Sequence, residues 1–448
     1  MNHLLTRADD RLRAFLLEAP GRALRLLLDA CAVAAFALVL MTRPLSQLAW
    51  AAAGARALTL LLLCAPLCVM LAFAQRAGRG MSLLGHACLA GACAMGMLLR
   101  VCFLDHVSSD YEIYLADWLQ RLAAGSFGEG MRANIGEYNV LYQYVLFLIT
   151  RMPVPALYAV KAVSFLGDAF LAGAAASLAG EEEHRGALAL CAVLLLPTCA
   201  LNGGMFAQCD SLYAACALWG LALALRGRPA GSATCFALSL AFKLQAVFLL
   251  PIVAVLWAGK RLRLADALVF LGTLVLTALP GLLGGKWIGQ ILAIYMGQTG
   301  LYTGLTYNAP TLFGLMNTAG LDVNAYGLFG IALAMGALLA LLAVALPRAQ
   351  RMDAREFLRT ALLMVLLVVF CLPRMHERYF FLAVILAVAL ASQDRRALPA
   401  AVLVELASLS AVLDLGISLR AASIMMLAAS VLTGLGAKRA CEAHKSCV

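Results

Sequence analysis

Long apolar runs separated by short polar turns recur along the whole chain. Runs of about 18 or more residues can each cross ~30 Å of hydrocarbon as a helix. About twelve spans are expected, at 24–42, 54–75, 83–104, 156–179, 187–202, 211–226, 265–283, 325–347, 356–372, 379–392, 397–414 and 420–436. Two segments break the pattern. Residues 142–152 carry an apolar stretch of only about a dozen residues, which suits an interfacial or re-entrant helix better than a span. Residues 231–257 are flanked by RGRP and GKRLRL, so both ends belong on one side of the membrane. This segment reads as a hairpin of two short helices with Phe242, Lys243, Leu244 and Gln245 near its tip. Such a break is tolerated only where it lines a cavity or is buried in protein. At the N-terminus, Leu12, Phe15 and Leu16 have the i, i+3, i+4 spacing of one helix face among Arg7, Arg11, Arg13 and Arg22. That is the pattern of an amphipathic helix on the cytoplasmic surface. The expected fold class is an all-α polytopic membrane protein of about 12 full transmembrane helices, a short-helix hairpin and outer interfacial helices.

Composition agrees. Hydrophobic residues make up 64% of the 448 and charged residues 13%, half of the about 25% usual in soluble domains. The net charge of +10 is not a nucleic-acid signal, because Lys and Arg cluster in short loops between apolar runs, as the positive-inside rule requires. No stripe of interleaved basic and aromatic residues occurs. The fourteen cysteines are scattered, mostly within apolar runs, with no CxxC pair and no zinc spacing. The first apolar run lacks a small-residue cleavage site and reads as an uncleaved span.

The charge rule sets the expected topology. Arg76 and Arg79 hold the loop before the third span inside, so the segment from Asp105 to about Pro155 lies outside. If 142–152 spanned, Glu181, Glu182, Glu183, His184 and Arg185 would be exported, with Arg226, Arg228, Lys260, Arg261 and Arg263. The non-spanning reading avoids this. Both termini are then cytoplasmic, and a second outer segment covers about 284–318.

The outer segment opens with a polar island, SSDYEIYLADWLQRL, over Ser108–Leu122. On an α-helix Asp110, Tyr114 and Asp117 would share a face. Tyr111, Tyr114 and Trp118 suit the membrane–water boundary. Asp110 could be a general base, a metal ligand or a solvated charge. As a base it would deprotonate an acceptor hydroxyl. Glu112 and Asp117 are weaker candidates of the same kind. The sequence PRMHERYFF carries a second cluster, Arg374, His376, Glu377 and Arg378. Four ionisable groups at a membrane boundary are costly unless used or wetted. Guanidinium groups suit phosphate oxygens, and the alternative is a surface loop with Tyr379 as interfacial anchor. In NGGMFAQCDSLY, Gln208 and Asp210 could touch a sugar, or Asp210 could cap the returning helix. Lys243 needs a partner inside the membrane, either a lipid phosphate or a carboxylate such as Asp168. Lys286, Trp287, Tyr295, Gln298, Tyr302, Tyr307 and Asn308 mix aromatics with amides and amines, which suits sugar faces and interfacial helices equally. No P-loop, dinucleotide fingerprint, GxSxG or HExxH occurs in a supporting context.

These features occur in an order that resembles the GT-C glycosyltransferases, closest to bacterial membrane proteins related to the GPI mannosyltransferase II family. The stretches that carry the resemblance are DYEIYLADWLQRL, IGEYNVLYQYVLFLI, NGGMFAQCDSLYAACALWGLALALRGR, FALSLAFKLQAVFLLP and LPRMHERYFF, across most of residues 100–390. The resemblance implies a GT-C-like bundle that transfers a sugar, mannose or another hexose, from a polyprenyl-phosphate carrier on the outer side. It implies an inverting single displacement with Asp110 as base. Arg374, His376, Arg378 and Lys243 would hold the carrier phosphate. Glu112, Asp117, Gln208, Asp210, Tyr307, Asn308 and Glu377 would complete the substrate site. Residues 1–80 are an addition to that pattern, followed by a catalytic core over 81–318 and C-terminal helices over 319–448. Tyr138 is followed by Asn139 and Val140, where the related pattern often has paired prolines. The expected partners are the lipid-linked sugar donor, a glycan, lipid or protein acceptor, and membrane lipids, with no nucleic acid. No cofactor is expected, and nothing indicates a metal, though a divalent ion is compatible with the acids. The expected location is a bacterial inner membrane with an outward-facing site. A secondary transporter or a lipid-linked-sugar flippase is the competing class, since both use broken helices and intramembrane charges.

Overall fold

The computed structural model describes residues 2–18, 20–42, 53–136, 138–180, 182–297, 303–316 and 318–445. Almost everything is helix. In chain order the helices are α1 (Asn2–Leu17), α2 (Arg22–Thr42), α3 (Ala53–Ala77), α4 (Leu83–Val101), α5 (Ala116–Ala123), α6 (Phe127–Arg132), α7 (Val140–Thr150), α8 (Ala156–Ala179), α9 (Arg185–Leu195), α10 (Pro197–Gly204) and α11 (Asp210–Leu225). They continue as α12 (Pro229–Phe242), α13 (Ile252–Ala258), α14 (Asp266–Leu283), α15 (Ile288–Gly297), α16 (Leu312–Leu315), α17 (Val323–Ala345), α18 (Ala354–Cys371), α19 (Phe381–Gln393), α20 (Leu398–Val412) and α21 (Leu419–Lys445). Two short strands, β1 (Thr306–Tyr307) and β2 (Met375–His376), pair in parallel, Thr306 with Met375 and Tyr307 with His376.

Among the described residues seven helices are long and apolar enough to cross a membrane alone: α2, α3, α4, α8, α14, α17 and α21. The pair α9–α10 makes an eighth crossing if its 49° bend lies within one span. Pro197 causes that break. It has no N–H to donate, and it forces Leu196 to an extended ψ of 124°. Part of the expected dozen is therefore shorter than a straight crossing: α11 has 16 residues and α19 has 13. Helices packed against protein can satisfy their ends internally and need not match the hydrocarbon thickness. The expected hairpin at 231–257 is present as α12, a 3₁₀ turn at Leu244–Phe248 and α13. The 11-residue α7 is too short to span.

The chain divides into two compact units. One comprises Met1–Ile113 with Arg151–Ser211, the other Tyr114–Thr150 with Leu212–Val448. In the first unit α8 is the central helix, packed on α3 and α9, with α4 against α9 and α10. Its exposure is low along nearly its whole length. Ser82 caps α4 by accepting from the Gly85 N–H at 3.1 Å. In the second unit α17 packs on α18, α18 on α19 and α21, and α12 on α14. Asp322 caps α17, and Asp353 with Glu356 forms a capping box on α18. Each cap satisfies N–H groups that a helix start leaves open.

Candidate functional site

One face of α8 carries a polar stripe, Tyr158, Lys161, Ser164 and Asp168, at spacings of three, three and four. Every member holds another segment of the first unit. Tyr158 donates its hydroxyl to Asp105. Lys161 Nζ donates to the carbonyls of Phe103, Leu104 and His106 at 2.5, 3.1 and 2.6 Å. Those carbonyls follow the end of α4, where the backbone has no helical partner left. Ser164 Oγ donates to the Gln208 carbonyl at 2.8 Å. Asp168 is fully buried and accepts from Arg100 Nε at 2.7 Å. Arg100, equally buried, also donates to the carbonyls of Gly96 and Leu194 and to Cys199 Sγ. A buried charge survives only when paired and hydrogen-bonded in this way.

This scaffold sets the start of the polar island. Ser108 Oγ donates to the Phe206 carbonyl at 3.1 Å and accepts from the Tyr111 N–H at 3.3 Å. Gln208 Nε2 then donates to Asp110 Oδ2 at 2.7 Å. Gln208 is itself fixed: its N–H donates to the Asn202 carbonyl, and Ala207 before it has a positive φ of 53°. Asn202 Nδ2 donates to Asp210 Oδ2 at 2.9 Å, and Asp210 is buried in the first turn of α11. Asp110, Gln208 and Asp210 thus belong to one connected network. Burial pushes the neighbouring Tyr111 hydroxyl up from its ordinary pKa. Glu112 is exposed.

The expected α-helical face of Asp110, Tyr114 and Asp117 does not form. Tyr111–Leu115 is a π turn, whose i→i+5 bonding displaces the residues after it from the α register. Asp117, in the second unit, is solvated and paired with Arg121 of its own helix at 2.7 Å.

In the second unit the hairpin tip meets an aromatic cluster. The Tyr138 ring packs on Trp118 and Tyr142, with centroids 5.5 and 4.9 Å apart. Lys243 Nζ lies 5.3 Å from the Tyr138 ring centroid, within cation–π range. Asn139 Nδ2 donates to the Leu240 carbonyl at 2.6 Å, covering the end of α12. Gly136 has a φ of +56°, and a Cβ there would lie 2.0 Å from the Trp118 ring, so only glycine lets the loop pass under that indole. Of the two alternatives expected for Lys243, a lipid phosphate or a carboxylate such as Asp168, the second is corrected: Asp168 is held by Arg100, and the Tyr138 ring lies under Lys243.

The PRMHERYFF turn is tied down by backbone and rings. The Arg374 N–H donates to the Leu305 carbonyl, and β1 pairs with β2. His376 stacks on Tyr307 at 4.9 Å and 12° and touches Tyr379 at 5.3 Å. Glu377 accepts from Arg378 Nη1 at 3.0 Å and lies 3.8 Å from His376 Nδ1. Asn308 Nδ2 donates to the Ala411 carbonyl at 2.5 Å. Arg374 and Asn308 both have positive φ, 62° and 53°, a conformation non-glycine residues rarely adopt. Beside this turn is a groove of about 660 Å³. Its walls include Val247, Phe248, Gly327, Leu328 and Ile331, and Arg374 is among its few polar groups. Leu328 and Ile331 are also exposed on the apolar outside of α17.

Among the other expected contacts, Lys286 is buried and donates to the Ala133 carbonyl at 2.9 Å and to Asn134 Oδ1 at 2.8 Å. Burial lowers its pKa to about 8. Tyr295 packs with Ile291 and Ile294 of α15 against Val140 and Tyr144, as an interfacial helix would. Trp287 is exposed. Gln298 and Tyr302 lie outside the described residues, as does Glu181. Among the described residues no three His, Cys, Asp or Glu side chains converge as a metal-ligand set. Sequence reasoning missed Arg100, Tyr158, Lys161 and Ser164. The 3-3-4 spacing of polar residues inside an otherwise apolar span was the available signal.

Residues 138–259 match the family model of the MptA_B family, described as alpha-(1->6)-mannopyranosyltransferase, N-terminal domain. The matched segment includes Tyr138, the α8 stripe, Gln208, Asp210 and Lys243. No curated protein matches the chain. Its helical, multi-spanning architecture and that match agree: the chain is a multi-pass helical membrane protein that resembles GT-C mannosyltransferases, with the family match carried by residues 138–259.

Proposed function

We propose that the protein transfers a hexose, mannose being favoured by the matched family, from a polyprenyl-phosphate carrier to an acceptor at the extracytoplasmic face of the membrane. The groove beside Arg374 is the observation that carries this reading. It is apolar along its walls and lined in part by exposed side chains of α17, so a lipid tail can enter sideways from hydrocarbon. Arg374 supplies a cation where the headgroup would stop. An apolar chain ending in a phosphate matches that distribution of chemistry better than a free nucleotide sugar does.

The proposed reaction is a single displacement with inversion. The acceptor oxygen forms a bond to the anomeric carbon as the bond from that carbon to the carrier phosphate oxygen breaks. The carrier phosphodiester leaves as a monoester, whose second pKa is about 6, so no acid need protonate it. Asp110 takes the acceptor proton, its carboxylate oriented by Gln208. Arg374, with Arg378 and His376, stabilises charge growing on the leaving phosphate. Lys243, Tyr307, Asn308 and Glu377 are the further substrate contacts of this proposal, and Glu112, which is exposed, and Asp117, which is paired with Arg121, are weaker ones. The positive-inside distribution supports cytoplasmic termini, and the resemblance supports a bacterial inner membrane.

The test uses the purified full chain in liposomes with radiolabelled polyprenyl-phosphate mannose and a glycolipid extract as acceptor. Label moving from carrier to extract is the expected result. Gly327→Phe should slow it at donor concentrations below KM. A Cβ at Gly327 meets nothing closer than 3.9 Å, so the ring fills the groove without straining the backbone. Intact carrier with solute counterflow across the same liposomes would instead identify a transporter.

A further inference from the structure

A second cavity in the Tyr114–Thr150/Leu212–Val448 unit has no part in the chemistry above. It has a volume of about 740 Å³ and lies between the end of α13, the turn that follows it and the 3₁₀ segment Leu346–Arg351 after α17. The groove beside Arg374 is lined by the first half of α17. The 23 residues of that helix, rising 1.5 Å each, make it ~35 Å long, close to the thickness of the hydrocarbon layer, with the groove along Val323–Ile331 and the cavity just past its other end at Leu346. The cavity therefore opens at the other membrane face, the one the positive-inside distribution assigns to the cytoplasm.

Its lining is cationic over an apolar base. Lys260, Arg263 and Arg351 contribute charge, Leu262 and Pro347 contribute hydrocarbon, and Trp257 is half-exposed beside them. Arg261 and Arg348 flank the opening. The nearby acids are already engaged: Asp266 accepts from Arg263 at 2.9 Å, and Asp353 and Glu356 cap α18. Among the described residues Lys260 and Arg351 have no ion-pair partner. Leu264 and Leu268 are strongly exposed at the start of α14, next to the cations in sequence.

Lys260 also sits where glycine is usual. Helix α13 closes with the Arg261 N–H donating to the Leu256 carbonyl at 2.8 Å. Lys260 takes the left-handed position of that closure, with φ 56°. The glycine is one residue earlier. A Cβ on Gly259 would lie 2.7 Å from the Phe357 ring and 2.9 Å from the Ala349 carbonyl. Close packing therefore requires the glycine at 259, and a lysine occupies the strained position facing the cavity.

We propose that this cavity binds the phosphate headgroup of an anionic membrane lipid, with the acyl chains lying on Leu264 and Leu268. Guanidinium and ammonium groups bind phosphate oxygens, an indole favours the headgroup level, and basic pockets between spans recognise anionic lipids in this way. The test is native mass spectrometry of the purified full chain titrated with phosphatidylglycerol, phosphatidylcholine or inorganic phosphate. The pocket variant is Lys260→Gln/Arg351→Gln. A control, Arg395→Gln/Arg396→Gln, removes the same charge from another exposed turn. All four side chains are exposed, and an unchanged melting temperature in phosphatidylcholine confirms folding. The expected result is preferential retention of phosphatidylglycerol, weakened about tenfold or more in the pocket variant alone. Equal weakening in both variants, or equal retention of the two lipids, would overturn the proposal. Displacement of the lipid by inorganic phosphate at comparable concentration would also overturn it, since the cavity would then be a free-anion site.

Discussion

Helices α8 and α17 are of similar length, and the sequence reads both as spans, but their surroundings differ. Within the apolar window of each, 78% of α8 is buried by protein and only 17% of α17 is. The buried helix carries Tyr158, Lys161, Ser164 and Asp168. The exposed helix carries no ionisable side chain other than Tyr326 over Val323–Ala345. A helix facing lipid has no partner to offer a polar group, so it must be apolar all round. A helix enclosed by protein can hold charges, provided each finds a donor or acceptor. Polar residues in a span therefore report enclosure, and here they also report work: α8 ties down the segment leading into Asp110, while α17 offers a surface to lipid.

The most direct attack on this contrast is at the residue α8 helps position. Asp110→Asn should lower transfer by about 10²–10⁴-fold, the usual worth of a general base, with the melting temperature unchanged. Retained transfer by the folded variant would remove Asp110 from the reaction. Next comes the buried pair behind it. Arg100→Leu leaves Asp168 buried without its cation, which costs about 3–5 kcal/mol and should appear as a large loss of thermal stability in detergent. Arg100→Leu/Asp168→Leu should recover most of that loss, and failure to do so would mean the pair contributes more than charge neutralisation. A smaller effect is expected at α17. Gly327→Phe should raise the KM for the lipid-linked donor by about tenfold or more, equivalent to ~1.4 kcal/mol, without shifting the melting temperature. An unaltered KM would separate the groove from the donor.

The smallest effect lies outside both helices, at Lys286. Its folded pKa of about 8 lies below the ordinary value near 10.4. Between those values the unfolded chain holds a proton that the folded one has released, so stability rises as pH increases through that window. Lys286→Met should flatten the rise in a comparison of melting temperature against pH. A rise of equal slope in the variant would assign the titration to another group.

Much of the fold was legible in the sequence because hydrophobic length is a local property. The spans at 24–42, 54–75, 156–179 and 265–283 correspond closely to α2, α3, α8 and α14. The hairpin at 231–257 was legible for the same reason, since basic flanks at both ends forbid one crossing. The short α11 and α19 were legible too, at 211–226 and 379–392, whereas the bend that splits 187–202 into α9 and α10 was not read. For the candidate site, the chemistry-bearing types were visible but their partners were not. Lys243 was expected to need an anion and is met by the Tyr138 ring. Asp168 looked available and is held by Arg100, 68 positions away in the chain. The π turn at Tyr111–Leu115 escaped because its residues fit an α-helix equally well.

The amino-acid sequence by itself determined that this is a helical membrane protein, where most of its spans begin and end, and which polar clusters could bear chemistry. It could do so because burial in lipid and the cost of exporting charge act on each segment separately. Only the tertiary structure decided that Gln208 holds Asp110, that one face of α8 anchors the segment before it, and that a groove runs from the apolar side of α17 to Arg374. Those facts depend on pairings between residues distant in the chain, where hydrogen-bond geometry and packing, rather than hydropathy, select the partner.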